Sequence, residues 1–121
     1  MNEDFVPFEL AVKLEEKGFD KETSHYYNGK GEICVSLVDE EYPYPCPTIP
    51  QVLKWLREEK KIYIVIGVNP TLTTKDRMAY YYQVYSNSNG VASDYYESEE
   101  CYAQWEDCAI ESIKSVLKYL I

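Results

Sequence analysis

The stretch PTIPQVLKWLREEKKIYIVIGV, Pro47 to Val68, decides the fold, because it changes period from helix to strand with almost no connection between them. Thr48 and Gln51 have the spacing of a capping box, in which the threonine hydroxyl accepts a first-turn N–H and the glutamine reaches back to the Thr48 amide. Pro50 gives up an N–H that has no helical partner at that position. Ile49, Val52, Leu53 and Leu56 then recur at intervals of three and four, forming one apolar stripe with Trp55 at its margin. Lys54, Arg57, Glu58 and Glu59 fall on the other side and face water. After Lys60 and Lys61 the period is two: Ile62, Ile64, Ile66 and Val68 share one face of a strand, and Tyr63, Val65 and Gly67 share the other.

Upstream, Pro7 to Lys17 reads as a helix. Leu10, Ala11 and Leu14 form its stripe, and Gly18 is suited to a left-handed C-terminal turn that brings Leu14 onto Phe19. A hairpin is expected next, with strands Ser24 to Asn28 and Glu32 to Val38 about a turn at Gly29-Lys30-Gly31. Asp39 to Pro47 (DEEYPYPCP) holds three prolines in nine residues and is expected to be an extended surface crossing, not helix or central strand.

Downstream, Arg77 to Ser86 (RMAYYYQVYS) is a second strong strand, expected antiparallel to Ile62 to Val68, and Ser86 to Asp94 (SNSNGVASD) is the most loop-like segment. The last element is expected to be a helix from about Ser98 to Leu120. Glu97, Glu99 and Glu100 would sit at its N-terminus and Lys114 and Lys118 near its C-terminus, as the helix dipole favours. Its stripe runs through Tyr102, Trp105, Ala109, Ile113, Val116, Leu117 and Leu120. The expectation is a single α+β domain over residues 1–121: an antiparallel sheet of about four strands, three helices packed mainly on one face, in the order helix-strand-strand-helix-strand-strand-helix.

A chain of 121 residues with 45% hydrophobic and 27% charged residues is long enough to bury one core. Its net charge of -9 disfavours direct binding to nucleic acid or to an anionic membrane surface. Met1-Asn2-Glu3-Asp4 is acidic where a secretory signal is basic, and the run Ile62 to Val68 is too short to span a bilayer, so a cytoplasmic location is expected. In that compartment the four cysteines, Cys34, Cys46, Cys101 and Cys108, are expected to be reduced and structural.

Three segments, PFELAVKLEEKGF, PTIPQVLKWLREEKKIYI and the acidic-aromatic CYAQWEDCAIESIKSVLKYLI, together resemble short, uncharacterised proteins of gut-anaerobe phages and mobile elements. The resemblance covers about half the chain. It implies an accessory or host-directed role and carries over no functional residues, since that group has no assigned activity. The tyrosine-rich Arg77 to Ser86 falls outside it.

Motifs for chemistry are sparse. His25, the one histidine, and Cys34 fall in the same expected hairpin, but a cross-strand pair is not by itself a base and an activated thiol. There is no C-x-x-C or H-x-x-x-H, and Cys101 and Cys108 are expected two helical turns apart, about 10 Å and too far to share one zinc ion. Asp39-Glu40-Glu41, Glu58-Glu59, Glu99-Glu100 and Glu106-Asp107 read as solvated faces. No metal or cofactor is therefore expected, nor a catalytic centre.

The unusual feature is thirteen tyrosines. If helices cover the Ile62/Ile64/Ile66 face, the opposite face carries Tyr63, Tyr81, Gln83 and Tyr85, the candidate partner-binding residues. Tyrosine brings large contact area at small entropic cost, so such a face suits a protein partner or a homodimer. Tyrosine is also simply a good strand residue whose hydroxyl meets water. Two further readings stand beside the interaction protein: an acidic decoy that occupies a host protein's nucleic-acid-binding site, and a small thiol enzyme using His25 and a cysteine.

Overall fold

A computed structural model describes residues 4–35, 44–88 and 91–121. The elements run α1 (Phe8–Glu16), β1 (His25–Tyr27), β2 (Ile33–Cys34), β3 (Tyr44–Cys46), α2 (Ile49–Glu59), β4 (Ile62–Val68), β5 (Tyr80–Ser88), β6 (Val91–Glu97) and α3 (Trp105–Tyr119). The class is α+β, with three helices among the described residues, as the sequence implies. Among the described residues the strands form two antiparallel three-stranded sheets, ordered β2-β1-β3 and β4-β5-β6, where one sheet of about four strands was expected.

Two expectations are corrected by strands that local propensity conceals. Tyr44-Pro45-Cys46, within the proline-rich crossing, pairs with β1 in the register His25↔Cys46, Tyr26↔Pro45 and Tyr27↔Tyr44. It is an edge strand, where a sheet tolerates proline, and Cys46 is fully buried. Residues 39–43 of that crossing, and the part of the second hairpin strand beyond Val35, lie outside the described residues. The loop-like Ser86 to Asp94 is largely strand: Ser86 pairs with Asp94, Asn87 with Ala92 and Ser88 with Val91, with a register shift between Ser86 and Asn87. Polar, weakly strand-forming residues such as Ser86, Asn87 and Ser88 are held there by the ladder. Asn89 and Gly90 of that stretch are outside the described residues.

The last helix also begins later than expected, at Trp105 and not near Ser98. The reason is that its supposed first turns hydrogen-bond to the sheet. Ser98 N–H donates to Tyr82 C=O at 2.9 Å, and Tyr80 and Tyr102 exchange both backbone bonds at 2.8 Å. Glu106 and Asp107, not Glu97, Glu99 and Glu100, therefore occupy the first helical turn.

Both earlier helix ends form as read. At α1, Gly18 has φ +96°, its N–H donates to Glu15 C=O at 3.1 Å, and the Phe19 N–H reaches Leu14 C=O at 2.9 Å. That is a Schellman motif, with Leu14 and Phe19 both buried. At α2 the capping box is closed: Thr48 N–H donates to Gln51 Oε1 at 2.8 Å and Gln51 N–H donates to Thr48 Oγ1 at 3.3 Å. Trp55, placed at the stripe's margin by periodicity, is buried, with its ring edge-on to Phe19 at 5.3 Å.

One contiguous core joins both sheets and all three helices. Leu10 and Leu14 come from α1, Ile49, Val52 and Leu56 from α2, Ile113 and Val116 from α3, Tyr27 and Cys46 from the small sheet, and Ile62 and Val84 from the large one. The segment ahead of α1 is tied in through Val6 N–H to Pro47 C=O at 3.0 Å and through the buried Tyr27 hydroxyl, which donates to Val6 C=O at 2.6 Å.

The turn from α2 into β4 is made by Lys60 and Lys61, and Lys61 adopts φ +57°. A side chain in the left-handed region costs about 1 kcal/mol that glycine does not incur. Lys61→Gly should therefore raise stability by about 0.5–1 kcal/mol, whereas Lys61→Val should lower it. Urea denaturation midpoints of the two variants check this.

Burial also holds several acids in their neutral forms. Cys108 is pushed up to about 11 from an ordinary 9.0, and Tyr102 up to about 12 from 10.0, chiefly by desolvation, while Tyr27 and Cys46 move the same way. Each pKa lies higher in the folded than in the unfolded chain, so its contribution is whole below the ordinary value and is lost as pH rises through the folded one. Urea midpoints should stay level from neutral pH to about 9 and fall steadily toward pH 12.

Candidate functional site

The large sheet presents its two faces to different surroundings, and strand alternation decides which residue meets which. In β4 and β5 the even-numbered residues turn inward: Ile62, Tyr82 and Val84 are buried, and Ile64, Ile66 and Tyr80 pack against the core. The odd-numbered residues turn outward. Tyr63, Tyr81, Gln83 and Tyr85, the residues expected to share a partner-binding face, do share the face opposite the helices.

Register sets them in rows. Tyr63, Tyr85 and Tyr95 lie side by side across β4, β5 and β6; Val65, Gln83 and Glu97 form the next row, and Gly67 with Tyr81 the third. Tyr63 is 37% exposed, Val65 47% and Tyr95 53%, while Tyr81, Gln83 and Tyr85 are half-buried by their neighbours. The Tyr85 and Tyr95 rings pack at 5.0 Å with 40° between their planes. Gln83 Nε2 donates to the Tyr95 hydroxyl at 3.1 Å, and that hydroxyl donates to Glu97 Oε2 at 3.0 Å. The Gln83 bond alone would ease loss of the Tyr95 proton, but the bond to Glu97, partial desolvation and the nearby carboxylate charge outweigh it, so the pKa is raised.

Gly67 is small for a reason. A β-carbon there would sit 3.1 Å from ring atoms of Tyr81, so the phenol lies directly on the glycine backbone. Tyr95 and Glu97 belong to the face but were missed, because their strand was not recognised in the sequence. The Asn89-Gly90 dipeptide was the available signal, since Asn-Gly between alternating segments favours a hairpin.

Around the end of β6 the face meets an acidic ridge. Glu97, Glu99 and Glu100 line one side of a cleft of about 450 Å³ between the sheet and α3, whose other walls are Tyr82, Tyr96 and Tyr102. The Tyr82 and Tyr102 rings stack at 6.4 Å, and the Tyr96 hydroxyl shares a 2.7 Å hydrogen bond with Ser115 Oγ.

The geometry gives the thiol-enzyme reading no support. Cys34 faces Tyr26 in the β1–β2 register, and His25 faces Cys46 across β1–β3. The His25 ring packs against Phe5 at 4.5 Å with 53° between their planes, and its Nδ1 shares a 2.8 Å hydrogen bond with Ser24 Oγ. Cys46 is buried, with burial pushing its thiol up, the reverse of activation. Cys101 precedes α3 and so does not share a helix with Cys108, as the sequence had suggested. Among the described residues, no three His, Cys, Asp or Glu side chains are grouped to hold a metal ion. No helix among them is long and apolar enough to cross a membrane.

In comparisons with protein families, curated proteins and solved structures, no family model, relative or structural neighbour matches the chain.

Thiol reactivity follows from burial. In the native protein Cys34 and Cys101 should react with a chromogenic disulfide at ordinary rates, and Cys46 and Cys108 only on unfolding. A single thiol reacting far faster than the others would revive the enzyme reading.

Proposed function

We propose that this is a non-enzymatic accessory protein of phage or mobile-element type that binds a protein partner through the outer face of β4, β5 and β6. The observation that carries the reading is the row Tyr63, Tyr85 and Tyr95, with Val65 and Tyr81 beside it, on the sheet face away from the helices. Phenol rings already ordered by cross-strand packing lose little freedom on docking, and their hydroxyls can meet a polar partner surface. Glu97 is the one charged side chain described on those three rows, so the centre of the face is uncharged, as the centres of protein interfaces tend to be.

A second reading is favoured by the ridge Glu97, Glu99 and Glu100 and by the net charge of -9: an acidic decoy that occupies the nucleic-acid-binding site of a host protein. The two readings engage different surfaces and differ in salt response.

Wild type and a Tyr85→Ala/Tyr95→Ala variant, used as paired baits in host lysate, test the proposal. A partner held by the tyrosine face should be lost from the variant, with its purified complex weakened by about 2 kcal/mol or more, roughly 30-fold. The complex should also survive a rise in salt that would dissolve a charge-driven one. Equal capture by both baits would overturn the assignment, and capture that collapses with salt would favour the decoy.

A further inference from the structure

The two edges of the large sheet are built differently. At one edge β6 includes Asp94 and Glu97 and faces β5 across a register shift between Ser86 and Asn87. Charges and irregular pairing are the usual devices that stop an edge from accepting another strand. At the other edge β4, Ile62–Val68, has the sequence IYIVIGV, with no charge, no proline and an unbroken seven-residue register to β5. Among the described residues, β4 pairs with β5 alone.

The hydrogen-bonding phase of β4 follows from its two ends. Asn87 N–H donates to Lys61 C=O at 2.9 Å and Asn69 N–H donates to Ala79 C=O at 2.8 Å, and both pairs continue the β4–β5 register. In an antiparallel ladder, hydrogen-bonded and non-hydrogen-bonded pairs alternate. The odd-numbered residues of β4 therefore bond to β5, and the N–H and C=O groups of Ile62, Ile64, Ile66 and Val68 point away from it.

We infer that this edge pairs with the β4 of a second copy of the chain, antiparallel about Val65, to give a continuous six-stranded sheet. A two-fold axis at Val65 is the register that matches all seven residues. Ile64 then exchanges hydrogen bonds with the second copy's Ile66, and Ile62 with its Val68. Tyr63 lies opposite the second copy's Gly67, and Val65 lies opposite its own counterpart. Within the paired strands no like charges are opposed: the register carries Lys61 to Asn69 of the other copy. On the outer surface the row Tyr95, Tyr85, Tyr63 continues across the other copy's Gly67 to its Tyr81. This inference rests on reading the chain as an interaction protein, and it names the partner at one edge as the chain itself.

Sedimentation equilibrium of the full chain should give twice the 14.2 kDa chain mass at micromolar concentration. Val65 is 47% exposed, so Val65→Lys should leave the fold intact by circular dichroism yet bring two ammonium groups together at the axis and shift the protein to monomer. The decisive arm is Val65→Cys with Cys34 and Cys101 changed to serine. The new thiols would form a non-hydrogen-bonded pair about 4.5 Å apart at Cα, within disulfide range, and should oxidise to a covalent dimer in mild air. A monomeric wild type, or a dimer that survives Val65→Lys and leaves the thiols of the Val65→Cys variant unlinked, overturns the pairing. Neither result bears on capture through Tyr85 and Tyr95, so failure of the dimer and failure of the partner face can be told apart.

Discussion

The rest of the structure depends on the reversal at Lys60 and Lys61. With no more than these two residues between Glu59 and Ile62, α2 must fold back along the strand it precedes. The face of β4 turned to the core it shares with α2 is the one bearing Ile62, Ile64 and Ile66. Burial of Val52 and Leu56 in the core shared with Ile62 marks the inside of the sheet, and strand alternation then sets the outside. The tyrosine rows are thus a consequence of strand alternation once the isoleucine face is the one buried. Closure of the capping box at Thr48 and Gln51 sets where α2 begins.

Much of this was legible because the determining signals are local. The Schellman end at Gly18 and Phe19, the cap at Thr48, the period change after Lys61 and the sharing of one face by Tyr63, Tyr81, Gln83 and Tyr85 each need only a few neighbouring residues. What escaped the sequence is non-local. Tyr44-Pro45-Cys46 is a strand because β1 offers it a ladder at an edge, not because its residues favour extension in a sheet. Ser86 to Ser88, Ser93 and Asp94 are polar and would suit a loop, but the ladder between these segments outweighs propensity. The backbones of Ser98 and Tyr102 bond to β5, so this segment does not begin the helix whose N-terminus its acidic residues were expected to occupy. Missing β6 meant missing Tyr95 and Glu97, the outermost members of the candidate site.

The candidate site combines two chemistries that meet at Glu97. On the outer face, phenols and Val65 offer area with little charge. Around the end of β6, Glu99 and Glu100 join Glu97 above the walls of Tyr82, Tyr96 and Tyr102, where burial raises the pKa of each ring hydroxyl. Partners selected by the first surface and by the second would differ in charge. The Glu97 carboxylate, holding the Tyr95 hydroxyl on one side and lining the cleft on the other, couples the two.

The triplet Tyr80-Tyr81-Tyr82 has one more implication, for how the strand finds its place. Sliding β5 by a single residue exchanges its two faces. Within the triplet that exchange swaps phenol for phenol and leaves the hydropathy pattern almost blind to the error. Discrimination must come from elsewhere: Val84 would give up its fully buried seat to Gln83 or Tyr85, and Tyr81 would lose the flat landing that Gly67 provides. Two small residues, one valine and one glycine, therefore encode the alignment that the many tyrosines leave ambiguous.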